Sequence, residues 1–596
     1  MQHQKQYMQN QIKFYKTQLE KHQNERSSLK KRLRILSLLR LSVFIFTTLG
    51  VYFFFKQWQI SFAIGIVGLM VFLFLLKKYS KVKLEKKLSE ALIFINEEEI
   101  KIGTGDFHHR KQGLEFQDPK HFYSLDIDLF GRGSFFQYIN RTSINEGTNK
   151  LANELTANSI NAIVSRQDSI KELSSITKWR QKFSAIASLV KIETPAVTII
   201  EWLKSYKVFL PKIMSWLPIG FSAVSGILLL LLFANYITPF PAILWMMLGL
   251  LITGKYLKKI SALSSNSDKV KDTFKQYSLL LNQIENEVFS SEKLQEKQLQ
   301  IISEGKKASL IFNEFSKMLD ALDSRNNLLF AILGNGFLLW DIKQSYRIEQ
   351  WIQKYNNKVE DWFDVISFFD AYNSLGNFGF NHPDYVFPEI IKSETAIKTE
   401  NLGHPLLNKE KRVDNNIAIN HQQFFIVTGA NMAGKSTFLR TVSLHIVMAN
   451  MGLPICATKS IYSPVKLITS MRTSDSLTDD SSYFFSELTR LKFIVEAIQE
   501  EPYFIILDEI LKGTNSTDKA IGSRKFVQKL VNSKATGIIA THDLSLCEIE
   551  NELTAIKNYY FDAEIIDDEL YFDYTFKEGV CKNMNASFLL KKMEII

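Results

Sequence analysis

The chain has 596 residues, a length that predicts several domains because single hydrophobic cores stop growing near about 250–300 residues. Its composition is globular, and a formal net charge of +10 is consistent with a nucleic-acid partner, an anionic membrane surface or a lysine-rich proteome. The three cysteines, Cys456, Cys547 and Cys581, form no CxxC pair, so nothing in their spacing indicates a disulfide framework or a zinc site, and a reducing compartment is expected.

The N-terminal part predicts a polar helix followed by a membrane hairpin. Residues 1–34 mix Gln, Lys and Glu with spaced Leu, Ile and Tyr, which indicates an amphipathic or coiled-coil helix. Residues 35–77 contain two apolar runs separated only by the short stretch 56–59. Because about 20 apolar residues cross a bilayer as a helix, we interpret residues 35–77 as a tight transmembrane hairpin.

A second hydrophobic block follows a region of helical pattern. Residues 78–212 begin as a charged continuation of the second span and turn helical again from about residue 121, so we assign them to a helical core. Residues 213–255 hold no charged side chain before Lys255, and the segment 235–241 interrupts them near the middle. We predict a second transmembrane hairpin there, which gives four spans; the alternative is two buried core helices in each block.

The charges beside the hairpins predict their orientation. Lysines and arginines flank both hairpins, whereas the connecting loops hold only Lys56. By the positive-inside rule, both termini and the soluble parts are cytoplasmic, and the expected location is the cytoplasmic (inner) membrane. Apart from Arg40, which can snorkel, the apolar runs hold no Asp, Glu, Lys, Arg or His, so we expect an anchor and not an ion or substrate pathway.

The remaining sequence divides into a helical part and an α/β part. Residues 256–330 repeat apolar side chains at a spacing near 3.6, and residues 340–375 are helical again, so we assign residues 256–390 to a second set of core helices. Pro383 and Pro388 mark a boundary. In residues 391–596 strand patterns alternate with helical ones, which predicts an α/β domain.

The most specific motif is TGANMAGKST at residues 428–437, a GxxxxGKS phosphate loop with a strand pattern before it and a helical pattern after it. Backbone N–H groups and the positive end of the helix would hold phosphates there. Lys435 would reach the β- and γ-phosphate oxygens, and the Ser436 hydroxyl would bind Mg²⁺. We therefore predict ATP and Mg²⁺ as cofactors. The predicted binding residues of the loop are Gly429, Ala430, Asn431, Met432, Ala433, Gly434, Lys435, Ser436 and Thr437.

Three further segments supply candidate functional residues. An apolar strand pattern ends in Asp508, which would hold Mg²⁺, and in Glu509, which could polarise the attacking water. His542 follows another strand pattern and could sense the γ-phosphate. We take Lys435, Glu509 and His542 as the catalytic candidates. The hydroxyls and amide of Thr514, Asn515 and Ser516 could either cap a helix or complete a second nucleotide site across a dimer.

In this order and spacing, the motifs resemble the MutS branch of the ABC-type ATPases. TGANMAGKST is similar to the family's TGPNMGGKST, and LDEILKGTNSTDK at 507–519 is similar to its LDEIGRGTSTxDG, with Asn515 in place of the first signature Ser. His542, in the sequence ATHD, matches the family's switch His. The segment 479–487 resembles the part that couples the nucleotide to the dimer interface, and 413–416 resembles the adenine-side VxND stretch, which includes Asn415.

Upstream segments extend the resemblance. Residues 125–142, 145–155 and 166–173 resemble the start of the MutS core domain, and 369–375 resembles the end of its lever helices. The implied fold class is an α/β ABC-type P-loop ATPase domain preceded by an all-α MutS core and lever domain, here with two transmembrane helical hairpins. The resemblance also implies Mg²⁺-dependent ATP hydrolysis by a homodimer joined through its ATPase domains, with residues 514–518 facing the partner's phosphate loop.

Two features of the family are not expected here. The mismatch-recognition domain, with its Phe-x-Glu wedge, is not found; Phe312-Asn313-Glu314 has that spacing but falls in a helical region. The apolar residues 213–254 stand roughly where the family's DNA clamp would be. Three hypotheses remain: an ATPase acting on DNA near the membrane, a membrane-tethered ATP switch acting on a protein partner without DNA, and an ABC-type transporter. The last lacks an LSGGQ-type signature and a polar pathway.

Overall fold

The computed structural model describes residues 2–189, 194–303, 305–430, 432–472, 483–566 and 569–582. The chain is mostly helical up to residue 381, and an α/β domain follows. Asn431 and part of the segment 479–487, both singled out from the sequence, lie outside the described residues.

The N-terminal hairpin consists of two long helices, α1 (Gln2–Phe53) and α2 (Trp58–Gly103), which pack against each other along their length. At 1.5 Å per residue each is roughly 70–80 Å long, about twice the thickness of a bilayer core. The halves next to the connecting loop are apolar and exposed; Phe46, Phe53 and Phe62 each expose more than 60% of their surface. The polar halves reach back to the helical core.

After the hairpin, the chain forms an irregular stretch and then a series of short helices. Residues 104–134 are mostly irregular, although the sequence predicted helix from about residue 121, because they dock by backbone and side-chain contacts onto the α/β domain. The next helices are α3 (Phe135–Ile139), α4 (Asn145–Thr156), α5 (Ile163–Ser175), α6 (Thr177–Ser188) and α7 (Ala196–Ser205).

A second hairpin is formed by α8 (Leu217–Phe233) and α9 (Pro239–Glu285). The second helix has 47 residues, so it continues from the apolar segment far into the helical core without a break. The elements that follow are α10 (Glu292–Leu299), β1 (Ile302–Ser303), β2 (Lys306–Lys307), α11 (Ala308–Asp323), α12 (Leu328–Leu338), α13 (Trp340–Tyr355) and α14 (Val359–Asn381).

Three described helical segments are long and apolar enough to cross a membrane, judged by length and composition: Asn10–Phe53, Trp58–Gly103 and Pro239–Ser267. The remaining predicted span falls on α8, which is apolar but only 17 residues long. The number of spans therefore stays a prediction.

The C-terminal domain is built on two sheets. Its elements are β3 (Glu389–Ile390), β4 (Thr395–Leu402), β5 (Asn415–Asn420), β6 (Phe424–Gly429), α15 (Lys435–Met451), β7 (Lys459–Tyr462), β8 (Lys466–Ser470), α16 (Tyr483–Glu500), β9 (Tyr503–Asp508), α17 (Ser516–Asn532), β10 (Thr536–Ala540), β11 (Ile556–Phe561), β12 (Glu564–Ile566), β13 (Glu569–Tyr571) and β14 (Lys577–Glu578).

The larger sheet has the order β14-β11-β6-β10-β9-β8, with β14 antiparallel and the other neighbours parallel. Every residue of β6 is buried, as expected for a central strand covered on both faces. A second sheet, β3-β7-β4-β5, lies beside it, and β12 and β13 form a separate hairpin.

The helical core and the α/β domain share one hydrophobic core, which runs from Tyr123 to Phe561. Polar contacts cross the same boundary. Arg166 Nε on α5 donates to the Asn450 carbonyl at the end of α15 at 3.0 Å, and Asn158 exchanges two hydrogen bonds of 2.9 Å with the backbone of Leu467 on β8. The two parts are therefore packed as one body, not joined by a linker.

A buried carboxylate, Glu99, fixes the polar end of the N-terminal hairpin to the end of α14. Its two oxygens accept from Asn377 Nδ2 and Asn381 Nδ2, both at 3.0 Å, and from Arg141 Nε at 2.5 Å. The Tyr15 hydroxyl on α1 donates to Asn381 Oδ1 at 2.7 Å. Burial raises the pKa of Glu99, but Arg141 and the two amides outweigh burial and hold its pKa below the usual value.

We expect Glu99→Ala to reduce the free energy of unfolding by about 3 kcal/mol, because it leaves the largely buried Arg141 guanidinium without its carboxylate partner. Glu97→Ala is the matched control, since Glu97 lies on the same helix and is exposed. The measurement is thermal unfolding of the purified full chain in detergent, followed by tryptophan fluorescence. Equal unfolding temperatures for the two variants would contradict a structural role of this cluster.

Candidate nucleotide site

The ends of three neighbouring parallel strands bring the predicted site residues together. In the register of the sheet, Val427 of β6 pairs with Ala540 of β10, and Ala540 pairs with Asp508 of β9. The chain continues from these ends into the glycine-rich loop, the loop with His542 and the loop with Glu509. Because carboxyl ends of parallel strands meet at one edge of a sheet, side chains far apart in sequence become neighbours.

The loop after β6 has the backbone shape that its glycines allow. Gly429 and Gly434 have φ values of 143° and 101°, which favour glycine. A Cβ on Gly429 would also lie 2.5 Å from the Phe561 carbonyl oxygen, so no side chain fits there. Met432 lies in the loop, also with positive φ, and exposes 77% of its surface. Ala433 is buried and packs into the core beneath the loop.

Lys435 begins α15, and its ammonium group lies inside the loop. Its Nζ donates to the carbonyls of Gly429 at 2.8 Å and Ala430 at 2.9 Å, and lies 3.3 Å from Nε2 of His542. Burial lowers the pKa of Lys435, while the carboxylates of Asp508 and Glu509 act in the opposite direction. The loop thus holds a cation where the motif requires one for phosphate oxygens.

Ser436 and Asp508 form a pair of oxygen ligands. The Ser436 hydroxyl donates to Asp508 Oδ2 at 2.7 Å, and Ser436 itself is exposed. Magnesium in nucleotide sites takes one or two protein oxygens and completes its shell with phosphate and water. The donor set fits that ion. No group of three or more His, Cys, Asp or Glu side chains suited to a metal was found among the described residues.

Glu509 and His542 face each other at the same edge. His542 Nε2 lies 2.9 Å from Glu509 Oε1, and Lys512 Nζ lies 3.6 Å from Oε2. The hydrogen bond with His542 lowers the pKa of Glu509 to about 2; partial burial acts against it, and Lys512 adds to it. A carboxylate with so low a pKa is a weak proton acceptor, so it is better suited to orienting a water molecule than to removing its proton.

Asn415 holds the backbone of the loop between β13 and β14. Its Nδ2 donates to the Tyr574 carbonyl at 3.0 Å, and its Oδ1 accepts from the Phe576 N–H at 2.8 Å. These bonds hold the half-exposed Tyr574 against the phosphate loop, where a Cβ on Gly434 would lie 3.1 Å from the tyrosine ring. Tyr574 is thus an aromatic neighbour of the site. Its place beside the loop could not be inferred from sequence, because nothing in its spacing from the loop indicates contact.

The segment with Thr514, Asn515 and Ser516 adopts one of its two predicted roles within the chain. Asn515 is the N-cap of α17: its Oδ1 accepts from the Asp518 N–H at 2.9 Å, and its Nδ2 donates to Asp518 Oδ2 at 2.7 Å. Most of the residues from 512 to 518 are exposed. The cap leaves the backbone and hydroxyls of this segment on the surface, where a second subunit could reach them.

A polar contact between the helical core and α15 was not predicted from the sequence. Asp128 accepts from Arg472 at 2.5 and 2.8 Å and pairs with Arg440 at 3.2 Å. Arg440 lies on α15, about one turn beyond the loop lysine. Next to it, Asp126 accepts from the Thr469 hydroxyl at 2.5 Å and the Arg472 N–H at 2.8 Å. Asp128 thus ties the irregular segment to the helix that carries the phosphate loop, and Asp126 ties it to the end of β8.

Comparisons with known proteins find similarity in this region. Residues 425–592 match MutS domain V. The chain is 32% identical over 224 residues to MutS protein homolog 4 of Homo sapiens, which covers 36% of the chain and 23% of that protein. It is 30% identical over 234 residues to DNA mismatch repair protein MutS of Desulfatibacillum aliphaticivorans, covering 38% and 26%. It is 31% identical over 207 residues to DNA mismatch repair protein MutS of Aquifex pyrophilus, which covers 33% of the chain and 24% of that protein.

These matches show that the C-terminal region is similar to MutS domain V and to the corresponding part of MutS proteins. The chain spans about a quarter of the length of the curated relatives it matches. The matched region begins within β6 and includes the phosphate loop, the strand-end carboxylates and His542.

We expect Glu509→Gln to bind ATP but to hydrolyse it roughly 100-fold or more slowly, because glutamine keeps the shape but not the charge that would orient the water. Glu496→Gln is the control, since Glu496 is exposed on α16. Single-turnover hydrolysis and bound-nucleotide analysis of the purified proteins give the two readouts. Turnover close to that of the unsubstituted protein would remove Glu509 from this role.

Proposed function

We propose that the chain is a membrane-anchored MutS-like ATPase, in which ATP binding and Mg²⁺-dependent hydrolysis change the conformation of the helical core. The observation that carries this proposal is the convergence of Lys435, Ser436, Asp508, Glu509 and His542 at one edge of the sheet, within the region that matches MutS domain V. Phosphate loop, magnesium ligands and a water-orienting carboxylate are the parts that phosphoryl transfer to water requires.

Each side chain has a separable task. Lys435 would exchange its two carbonyl partners for phosphate oxygens, while Ser436 and Asp508 would hold Mg²⁺, which neutralises charge that builds on those oxygens. Glu509 would orient the attacking water. His542 lies within reach of both Lys435 and Glu509, so it would register whether the lysine is engaged by a terminal phosphate.

The proposed active form is a homodimer joined through the C-terminal domains. Its support is the exposed segment from 512 to 518, whose cap on α17 presents the backbone outward. A helix N-terminus attracts phosphate through its unpaired N–H groups and its dipole. In the dimer this segment would close the partner's phosphate loop, as the family resemblance implies.

The proposed anchor consists of the two apolar hairpins. In α1 and α2 the apolar halves are exposed, and in α8 and α9 side chains such as Leu230 and Leu251 expose more than 70% of their surface. Exposed apolar surface of this extent is unfavourable in water and is typical of contact with lipid. With lysines at the ends of both hairpins, the cytoplasmic (inner) membrane is the proposed location.

Two kinds of target remain for the conformational change: DNA near the membrane and a protein partner. The names of the bacterial relatives point to DNA mismatch repair. The uncharged hairpin at 213–254, which stands roughly where the family's DNA clamp would be, favours a switch that acts on a protein partner. We propose ATP-driven movement of the helical core in both cases and separate them by experiment.

We expect Lys435→Ala to lower ATP turnover by at least about 100-fold, the order found when one charge-stabilising donor is lost from a transition state. Lys459→Ala, on the exposed face of β7, is the control. The assay measures phosphate release and nucleotide binding of full-length protein in lipid nanodiscs. An unsubstituted protein that neither binds nor hydrolyses ATP with Mg²⁺ would refute the proposed activity.

If DNA is the object, full-length protein in nanodiscs should bind duplex or branched DNA at low salt, with an affinity that falls steeply as salt rises because phosphate contacts release counterions. DNA should also increase ATP turnover. The control is an empty nanodisc of the same lipid. Lack of DNA binding at low salt, with ATP turnover intact, would leave the switch acting on a protein partner.

A further inference from the structure

The short helix α12 (Leu328–Leu338) has the composition of a membrane segment, although the sequence pattern placed it in the soluble core. Its sequence, LLFAILGNGFL, contains no charged residue. Leu328, Leu329 and Leu333 expose 74%, 72% and 53% of their surface. In a water-facing helix such a face would be unfavourable, because contiguous exposed apolar surface is rare on soluble proteins and marks contact with lipid or a partner.

The other face of α12 packs on the second apolar hairpin. Gly336 meets Gly249 of α9 so closely that a Cβ on Gly249 would lie 2.4 Å from the Gly336 carbonyl oxygen. Ser225 Oγ on α8 donates to the Phe337 carbonyl at 2.6 Å and accepts from Trp245 Nε1 at 2.9 Å. Close approach at small residues, with hydroxyls bonded across helices, is typical of helix packing in membranes.

Contacts along α9 set the depth that α12 reaches. Before α12, Arg325 Nη2 donates to Ser261 Oγ at 3.1 Å, just beyond the lysines that end the apolar part of α9. At the far end, Gly336 lies against Gly249. The apolar part of α9 ends at Gly254, and Gly249 lies about 8 Å further into it along the helix, roughly a quarter of a bilayer core of about 30 Å. With 11 residues, α12 is itself about 16 Å long.

Polar groups at the ends of α12 are engaged within the protein. Asn327 Oδ1 accepts from the Phe330 N–H at 3.1 Å at the start of the helix. At its end, the buried Asn335 accepts from the Asp341 N–H at 2.9 Å, and the Leu339 N–H bonds to the Gly334 carbonyl. Backbone at membrane depth must be satisfied in this way.

We propose that α12 is a re-entrant helix that enters the cytoplasmic half of the bilayer beside α9, with Leu333 in contact with lipid hydrocarbon and Leu329 nearer the membrane surface. The proposal rests on the proposed membrane anchoring. Its occupant is lipid because the exposed face of α12 continues the exposed apolar surface of the hairpin on which it packs, at the same level as Leu251. It implies that residues 256–390 contain a membrane element as well as core helices.

The chain turns sharply after α12, at Leu339 with a φ of 48°, and enters α13. That helix packs on α9 and α11, and the chain then continues through α14 to the C-terminal domain. A change in the contact between α12 and the bilayer would therefore act on α13 and α14, the helices that lie between the membrane and the nucleotide site.

The test uses nitroxide labels on single added cysteines in full-length protein in phosphatidylcholine–phosphatidylglycerol vesicles. The three native cysteines are buried, and each exposes 5% or less of its surface. The test position is Leu333→Cys, with Leu251→Cys on α9 as the membrane reference and Leu310→Cys on α11 as the aqueous reference; the last two expose 73% and 54%. The readout is spin relaxation by oxygen, which concentrates in lipid, relative to a water-soluble nickel chelate.

We expect the oxygen-to-nickel ratio at Leu333→Cys to match that at Leu251→Cys and to exceed that at Leu310→Cys several-fold. A ratio at 333 equal to that at 310, with a high ratio at 251, would overturn the re-entrant helix and leave the anchor intact. Low accessibility to both reagents at 333 would assign the face to a protein contact and also overturn it. Nickel access at 251 as well would show that the proposed anchoring itself is wrong.

Discussion

The functional residues of the C-terminal domain depend on the parallel register of β6, β10 and β9. Val427, Ala540 and Asp508 are aligned across the three strands, so the loops that leave their carboxyl ends start at the same height. Because side chains alternate along a strand, a slip of one residue would turn the Asp508 carboxylate to the other face of the sheet and separate it from Ser436. The strands β6, β10 and β9 are buried along almost their whole length, so packing on both faces holds them in place.

From that edge, a continuous set of packed and polar contacts leads towards the apolar hairpins. Helix α15 starts in the phosphate loop and carries Arg440, which meets Asp128 of the helical core. The end of α15 is held by Arg166 of α5, and α5 packs along α14. The end of α14 meets Glu99 of α2. A shift of α15 on nucleotide binding would thus act on elements that are already in close contact, and densely packed interiors transmit such shifts.

Local motifs allowed much of the candidate site to be predicted from the sequence. The contacts that join distant parts of the chain could not be predicted in this way. The phosphate loop, Asp508, Glu509 and His542 follow strand patterns, and their chemistry needs only local sequence and the rule that parallel strand ends meet. Helical hairpins were predictable because long uncharged apolar runs are typical of membrane-spanning helices and rare in soluble domains. The Glu99 cluster and the contact of Asp128 with Arg440 and Arg472 join residues far apart in sequence, and single charged residues carry no pairing signal. The helix α12 was missed because 11 apolar residues cannot be distinguished from a core helix by composition.

The two hairpins are attached to the helical core by different interactions. This difference determines which movements of the core can reach each hairpin. The N-terminal hairpin meets α14 through directional hydrogen bonds, among them those of Glu99 and of Tyr15, whose geometry fixes orientation. The second hairpin does not depend on such hydrogen bonds for its attachment, because α9 is one continuous helix that runs from the apolar segment into the core. Rotation of α14 would therefore reach the first hairpin through this polar cluster and through the packing of Phe14 on Phe380. Movement of the core helices packed on α9 would reach the second hairpin through the backbone itself.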